Sequence, residues 1–276
     1  MRKSPACLFL TLTPCLLAFF LCGCQPIKPT YTKEDITASV ISLCKKEYQV
    51  EPKVWLRGET VWIYLSLPNL ITKELQVEKT TAEKINKVIM GASRVILSMN
   101  PRPQFIAIVA SDTQEYGIDY TIINWIPDIV KYQLQFISRD EFFHRTLIKT
   151  KQNFYALYDD EGEHIEKTDI ALKDFLAEQI MQRTQLMFLL EPEYKGDFKV
   201  KKIQAGWKET TLSINADITQ VKGSLPKQFN IRREIAKIAA YTFKAYDFKD
   251  FLAVEITNTD GEKESVFTRI DLKRLL

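Results

Sequence analysis

Val54-Trp55-Leu56-Arg57-Gly58-Glu59-Thr60-Val61-Trp62-Ile63-Tyr64-Leu65 reads as two extended segments meeting at Arg57-Gly58-Glu59. Branched and aromatic residues favour strands. Glycine takes positive φ at little cost, so the two segments are expected to fold back as a hairpin. Val54, Leu56, Val61, Ile63, Leu65 and Leu67 fill apolar positions on one face, while Trp55, Trp62 and Tyr64 alternate with them and Arg57 falls on the aromatic side. A hairpin with one wet face carries polar residues there. Tryptophans instead imply a second covering layer or a partner surface. Burial under a helix is the expectation preferred here. The sharper alternative makes Trp55, Arg57, Trp62 and Tyr64 a face that binds a partner or a glycan.

The same device recurs along the chain. Gly117 separates Phe105-Ile106-Ala107-Ile108-Val109 from Ile118-Asp119-Tyr120-Thr121-Ile122, and Asp260-Gly261 separates Phe251–Thr257 from Ser265–Ile270. Asp-Gly between alternating runs is a strong hairpin signal, and Gly162 and Gly206 look like weaker cases. Apolar stripes at helical spacing precede these segments: Ile36, Val40, Leu43, Cys44 and Tyr48; then Ile85, Val88, Ala92, Val95, Ile96 and Met99; then Ile231, Ile235, Ile238, Ala239 and Phe243. A further helix is predicted over Asp169–Leu190, capped by Thr168 and closed by Glu191-Pro192, and another over Ile137–Ile148 with Ser138 as cap. An isolated αββ unit cannot bury both its helix and its sheet face, so neighbours must share sheets. The expected class is α+β: successive helix–hairpin (αββ) units forming antiparallel sheets with helices on one face. A break between Thr146 and Asn153 divides the body into units at 33–150 and 151–276, and Lys222–Lys227 reads as an internal loop. The helix-hairpin-helix-hairpin order from Lys33 to Ile123 loosely resembles the BON domain, a small envelope-associated αββαββ module. The likeness rests on element order, and the Gly-Val pair of that family near the second hairpin is missing.

The start of the chain carries a different signal. Arg2 and Lys3 precede an almost wholly apolar run from Ala6 to Leu21, and the segment ends Leu21-Cys22-Gly23-Cys24-Gln25. That is the layout of a secretory signal peptide, and its end resembles the lipobox of bacterial lipoproteins. The resemblance implies cleavage before Cys24, acylation of Cys24, removal of residues 1–23 and a lipidated tether over 24–32. It also implies an exported protein of the cell envelope. With Gln25 rather than Asp after the cysteine, the outer membrane is favoured over the inner in a cell that has both. The apolar run is shorter than the roughly 20 residues that span a bilayer core. Gln25–Thr30 reaches only about 20 to 30 Å even when extended, so the body is expected close to the bilayer.

Charge and chemistry exclude more than they assign. Taking Arg2 and Lys3 from the 38 basic residues leaves 36 against 35 acids, a balance that gives no pull toward nucleic acid. Of five cysteines only Cys44 would stay unmodified, on the apolar stripe of the first helix, so no intramolecular disulfide is expected. No Gly-x-Gly is present for a dinucleotide or phosphate loop, and no Gly-x-Ser-x-Gly marks an activated serine. His144 and His164, the only histidines, lie on different elements and are expected as surface or helix-end residues, with no metal site. Asp159-Asp160-Glu161 with Glu163 is expected as a solvated turn, since a calcium loop would need glutamate where Ile170 stands. No catalytic residue and no cofactor is assigned. The leading expectation is a non-catalytic, membrane-anchored lipoprotein that acts through an envelope protein partner. A glycan or small-ligand module centred on the first hairpin, and a wall hydrolase with a site assembled from distant residues, are the alternatives.

Overall fold

Strands β1 (Lys53–Arg57) and β2 (Thr60–Leu67) pair antiparallel, with Val54 opposite Ile63 and Trp55 opposite Trp62. The turn between them is set by Gly58 at φ +56°. This computed structural model describes residues 31–74, 76–221, 229–258 and 264–276. The leader, Cys24, the tether up to residue 30, the 222–227 loop and the Asp260-Gly261 turn lie outside the described residues. Helix α1 (Ile36–Tyr48) precedes the hairpin, and α2 (Lys79–Leu97) leads to a second hairpin of β3 (Phe105–Asp112) and β4 (Ile118–Trp125). The next elements are α3 (Ile126–Gln133), α4 (Arg139–Arg145) and β5 (Leu147–Gln152), which pairs antiparallel with β4. The first sheet therefore has the order β1-β2-β3-β4-β5.

The second half follows the same plan. Helix α5 (Leu172–Leu190), the hairpin β6 (Phe198–Lys208) and β7 (Thr211–Gln220), helix α6 (Ile231–Ala245), strands β8 (Ala253–Asn258) and β9 (Ser265–Thr268), and a short α7 (Arg269–Arg274) build a sheet of order β6-β7-β8-β9. The class is α+β. Each sheet is mixed rather than antiparallel throughout. The hairpins are antiparallel, but β2 runs parallel to β3 and β7 parallel to β8. A helix crossing between neighbouring strands returns the chain in the same direction, so each αββαββ half carries one parallel joint at its centre.

Several boundaries move, for local reasons. Ser138 caps α4 as expected, its Oγ accepting from Glu141 N–H at 3.1 Å, but the helix stops at Arg145 and the chain becomes strand β5 from Leu147. Helix α5 starts at Leu172 rather than Asp169, because the Asp169 carboxylate is committed elsewhere. Its Oδ1 accepts from Glu59 N–H at 2.9 Å and from the Thr60 hydroxyl at 3.0 Å, clamping the β1–β2 turn. Gly206 lies inside β6, and the turn falls at Glu209, φ 55°. Gly162 makes no hairpin. A boundary at 150 cuts through β5, so the first unit extends past it.

Packing explains the two kinds of strand pattern. On β2 and β3 the residues Val61, Ile63, Ile106 and Ile108 face α1 and α2 in one core, which also holds Val40, Val88 and Ile96. Trp62, Tyr64, Phe105, Ala107 and Val109 face the opposite way and join the core of the second half. The first sheet is thus covered on both faces, and its central strands read as continuous apolar runs. The second sheet is covered on one face. Leu212, Ile214, Ala216 and Ile218 on β7 are buried and alternate with Ser213, Asn215 and Asp217. Helix α5 joins the two cores. Phe175 meets Phe105 of the first sheet with ring centres 5.2 Å apart, and Phe188 meets Phe198 of the second at 4.8 Å.

A Cβ at Gly58 would sit 2.1 Å from the Asp169 carboxylate, and the backbone there is left-handed. Gly58→Ala is expected to cost about 2 kcal/mol or more in denaturant unfolding. Nothing lies within 4 Å of the corresponding position at Gly206, so Gly206→Ala should stay within about 0.5 kcal/mol of the unaltered chain.

Candidate functional site

The aromatic side of the first hairpin is not an open face. Trp62 is 8% exposed and donates its Nε1–H to the Thr168 carbonyl at 2.7 Å, and Tyr64 is 1% exposed and donates its hydroxyl to the Asp159 carbonyl at 2.6 Å. The covering layer is the loop 159–170 rather than a helix. Gly162, at φ +72°, lets that loop lie flat on the Tyr64 ring, where any Cβ would come within 2.8 Å. Trp55 is half-buried with the Lys167 ammonium 4.5 Å above its ring, and Arg57 is exposed. Trp62 and Tyr64 thus serve as anchors for the loop. Only Trp55 and Arg57 of the four reach solvent.

At the far end of the same loop a polar cluster forms that the sequence does not announce. His164 is not a surface residue: its side chain is 5% exposed and bridges two carboxylates, Nδ1 facing Asp159 Oδ2 at 2.5 Å and Nε2 facing Asp119 Oδ1 at 3.1 Å. Asp119, on β4, also accepts from the Ser111 hydroxyl at 2.5 Å and from Asn153 Nδ2 at 2.9 Å. Asp159 accepts from the backbone N–H groups of Glu161 at 2.9 Å and His164 at 2.6 Å, so it is a buttress of the turn rather than a solvated acid. Burial pushes the Asp159 carboxyl up. The backbone N–H and ring of His164 and the Glu161 N–H outweigh that and hold it below its ordinary range. Both ring nitrogens are engaged by carboxylate oxygens, and Ser111 donates to Asp119 rather than to the ring. The arrangement works as a latch that ties loop to sheet.

Other candidates take structural places. Cys44 is free and fully buried in α1, and burial, then the Glu47 charge, pushes its thiol up to about 11. His144 ends α4. Among the described residues no three His, Cys, Asp or Glu side chains are placed to hold a metal, and no helix is long and apolar enough to cross a membrane.

One surface is unlike the rest. On the helix-covered face of the first sheet, burial falls off across the strands: Ile106 and Ile108 of β3 are 0% and 1% exposed, Ile122 of β4 is half-buried, and Ile148 of β5 is 39% exposed. Above β4 and β5 lies a groove of about 480 Å³ between α2 and the α3–α4 pair. Ile89 and Met90 form one wall, Tyr132 and Phe143 the other, and Ile122 and Ile148 the floor. Tyr132 stacks on Phe142 at 4.7 Å, which fixes the far wall. The α3–α4 loop carries exposed Leu134 and Phe136, which are not part of the groove lining. The signal for α3 was present in Trp125-Ile126-Pro127, since proline suits the first turn of a helix. No protein-family model matches the chain, and neither a curated protein nor a solved structure matches it.

The latch makes a pH prediction. A carboxyl held low in the folded state contributes stability that is present above the unfolded value of about 3.9 and lost as pH falls through the lower folded value. Asp159→Asn should therefore lower the denaturant midpoint at pH 7, and the gap from the unaltered chain should close below about pH 4. A gap that is independent of pH would mean the carboxylate has no such role.

Proposed function

We propose that the chain is an exported lipoprotein of the cell envelope, held to the membrane through acylated Cys24, that acts without chemistry by docking an amphipathic helix of a partner protein in the groove between α2 and α3–α4. The uncovered strip of sheet carries this reading. Helices about 10 Å wide lying on strands about 4.8 Å apart cover roughly two strands each. The first sheet has five strands, and α1 and α2 pack on the strands from β1 to β3. What α1 and α2 leave open above β4 and β5, up to the wall formed by α3 and α4, is this groove. Its lining is mainly apolar, as a helix-in-groove site requires, with Asn86, Asn124, Arg139 and Thr146 as the polar members. The exposures of Met90, Phe143 and Ile148, at 61%, 52% and 39%, exceed what solubility alone favours for neighbouring side chains. The lipobox and short tether support a site held near the bilayer, and the outer membrane is the proposed location in a diderm cell.

A photo-reactive residue in place of Met90, in intact cells, should give a discrete protein adduct whose cross-linked positions follow helical spacing on the partner. Ile148→Glu should abolish that adduct while leaving the thermal midpoint within a few degrees. Recovery of no protein adduct, with retention on isolated wall material instead, would contradict the docking role. Separately, Cys24→Ser should release the protein from membranes and abolish acyl labelling.

A further inference from the structure

A second concavity lies in the second half of the chain, where α6, the loop that follows it and α7 meet. Its floor is aromatic: Phe243 and Phe251, 3% and 7% exposed, sit with ring centres 4.3 Å apart, and Phe248 lies parallel to Phe251 at 6.2 Å. The cavity measures about 290 Å³, near the lower limit of small-ligand sites. Its rim is cationic. Lys244, Lys249, Arg269 and Lys273 line it against one acid, Asp247, and that acid pairs with Lys249 at 2.8 Å. Among the described residues no carboxylate lies within ion-pair distance of Lys244, Arg269 or Lys273. The Arg269 guanidinium rests instead 5.7 Å above the Phe251 ring, at the junction of floor and rim.

Each half of this arrangement alone is ordinary. Lysines on a surface are commonly solvated, and phenylalanines at the edge of a core are commonly half-covered. Together they select a chemistry. An apolar hollow holds water poorly, since water needs several polar partners. A bare inorganic anion would use the rim and leave the floor empty, and an uncharged apolar molecule would use the floor and leave three cations unpaired. Only a molecule with both an apolar body and an acidic head satisfies both parts.

We propose that this pocket binds an anionic amphiphile, its hydrocarbon part on Phe243, Phe248 and Phe251 and its carboxylate or phosphate at Lys244, Arg269 and Lys273. The same chemistry is offered by a free acyl acid and by the headgroup region of an anionic phospholipid. The site shares no residue with the groove between α2 and α3–α4, so it does not depend on the docking reading.

Calorimetric titration of the full chain separates the outcomes. Decanoate below its micelle concentration should bind saturably, with decanol and inorganic phosphate each weaker by about tenfold or more. A variant carrying Lys244→Gln, Arg269→Gln and Lys273→Gln together should lose decanoate binding by about tenfold or more with a thermal midpoint within a few degrees, because these side chains hold no ion pair in the fold and only Arg269 gives up a ring contact. Vesicles of phosphatidylglycerol in phosphatidylcholine provide the second arm. Cosedimentation that the triple variant loses assigns the bilayer as source, and decanoate binding without cosedimentation assigns the free acid. Absence of saturable binding in both arms, equal affinity for decanoate and decanol, or full binding by the triple variant overturns the proposal.

Discussion

Helix α5 is the element on which both sheets depend. At 100° per residue, Phe175, Gln179 and Gln182 fall on one side and Ile180, Thr184 and Phe188 on the opposite side. The first side meets the rear of the five-stranded sheet through Phe175 on Phe105 and through Gln182, whose Oε1 accepts from Ile148 N–H at 2.9 Å. The second meets the four-stranded sheet through Phe188 on Phe198. A helix that packs on two sides has no single amphipathic stripe and belongs between two layers. Two of its buried polar side chains bond to backbone carbonyls: Gln179 donates to the Arg145 carbonyl at 2.8 Å, and Thr184 donates to the Ile180 carbonyl at 2.7 Å. Truncating either phenylalanine would open a cavity worth about 3 to 5 kcal/mol, a large share of a domain's net stability.

The latch follows from that constraint. Helix α5 covers only part of the rear face of the first sheet, and the chain from 153 to 171 must cover the rest before the helix begins. A loop has little apolar surface to offer and carries polar backbone that needs partners. Trp62 and Tyr64 are suited to this interface because each presents a broad apolar ring with a single donor at its tip. The donors go to the carbonyls of Thr168 and Asp159, and the rings pack under Gly162. Beyond the rings the sheet turns polar at Ser66, Ser111 and Asp119, and there the loop answers with Asp160, Asp159 and His164. Apolar and polar rows on the sheet are thus met in register by one loop.

Local chemistry made much of this legible. The alternation of Trp55, Trp62 and Tyr64 with aliphatic residues announced a second covering layer, and the glycines at 58 and 117 marked turns that adopt positive φ. Ser138 was readable as a cap because capping needs only a neighbour three residues away. The longer-range features were not. The parallel joints arise from where a crossover helix lands, which no local pattern encodes. Strand β5 carries Lys149, Lys151 and Gln152, residues typical of an exposed edge, and only the hydrogen bonds offered by β4 make it a strand. Asp119, Asp159 and His164 lie up to 45 residues apart, and their convergence depends on how the loop drapes. Asp169 reads as the start of a helix by proximity, yet its carboxylate is worth more to the Glu59 and Thr60 donors than to a helix end.

The two apolar concavities sit on different halves of a body that α5 makes continuous, so a ligand in either acts on one cooperative unit rather than on two tethered ones. Native-state hydrogen exchange on the full chain carrying Phe175→Ala tests this most directly. If α5 unites the sheets, amides of β3 and of β7 lose protection together and by the same factor. If β3 loses protection while β7 keeps the value of the unaltered chain, the two halves are independent and the shared core does not hold them together.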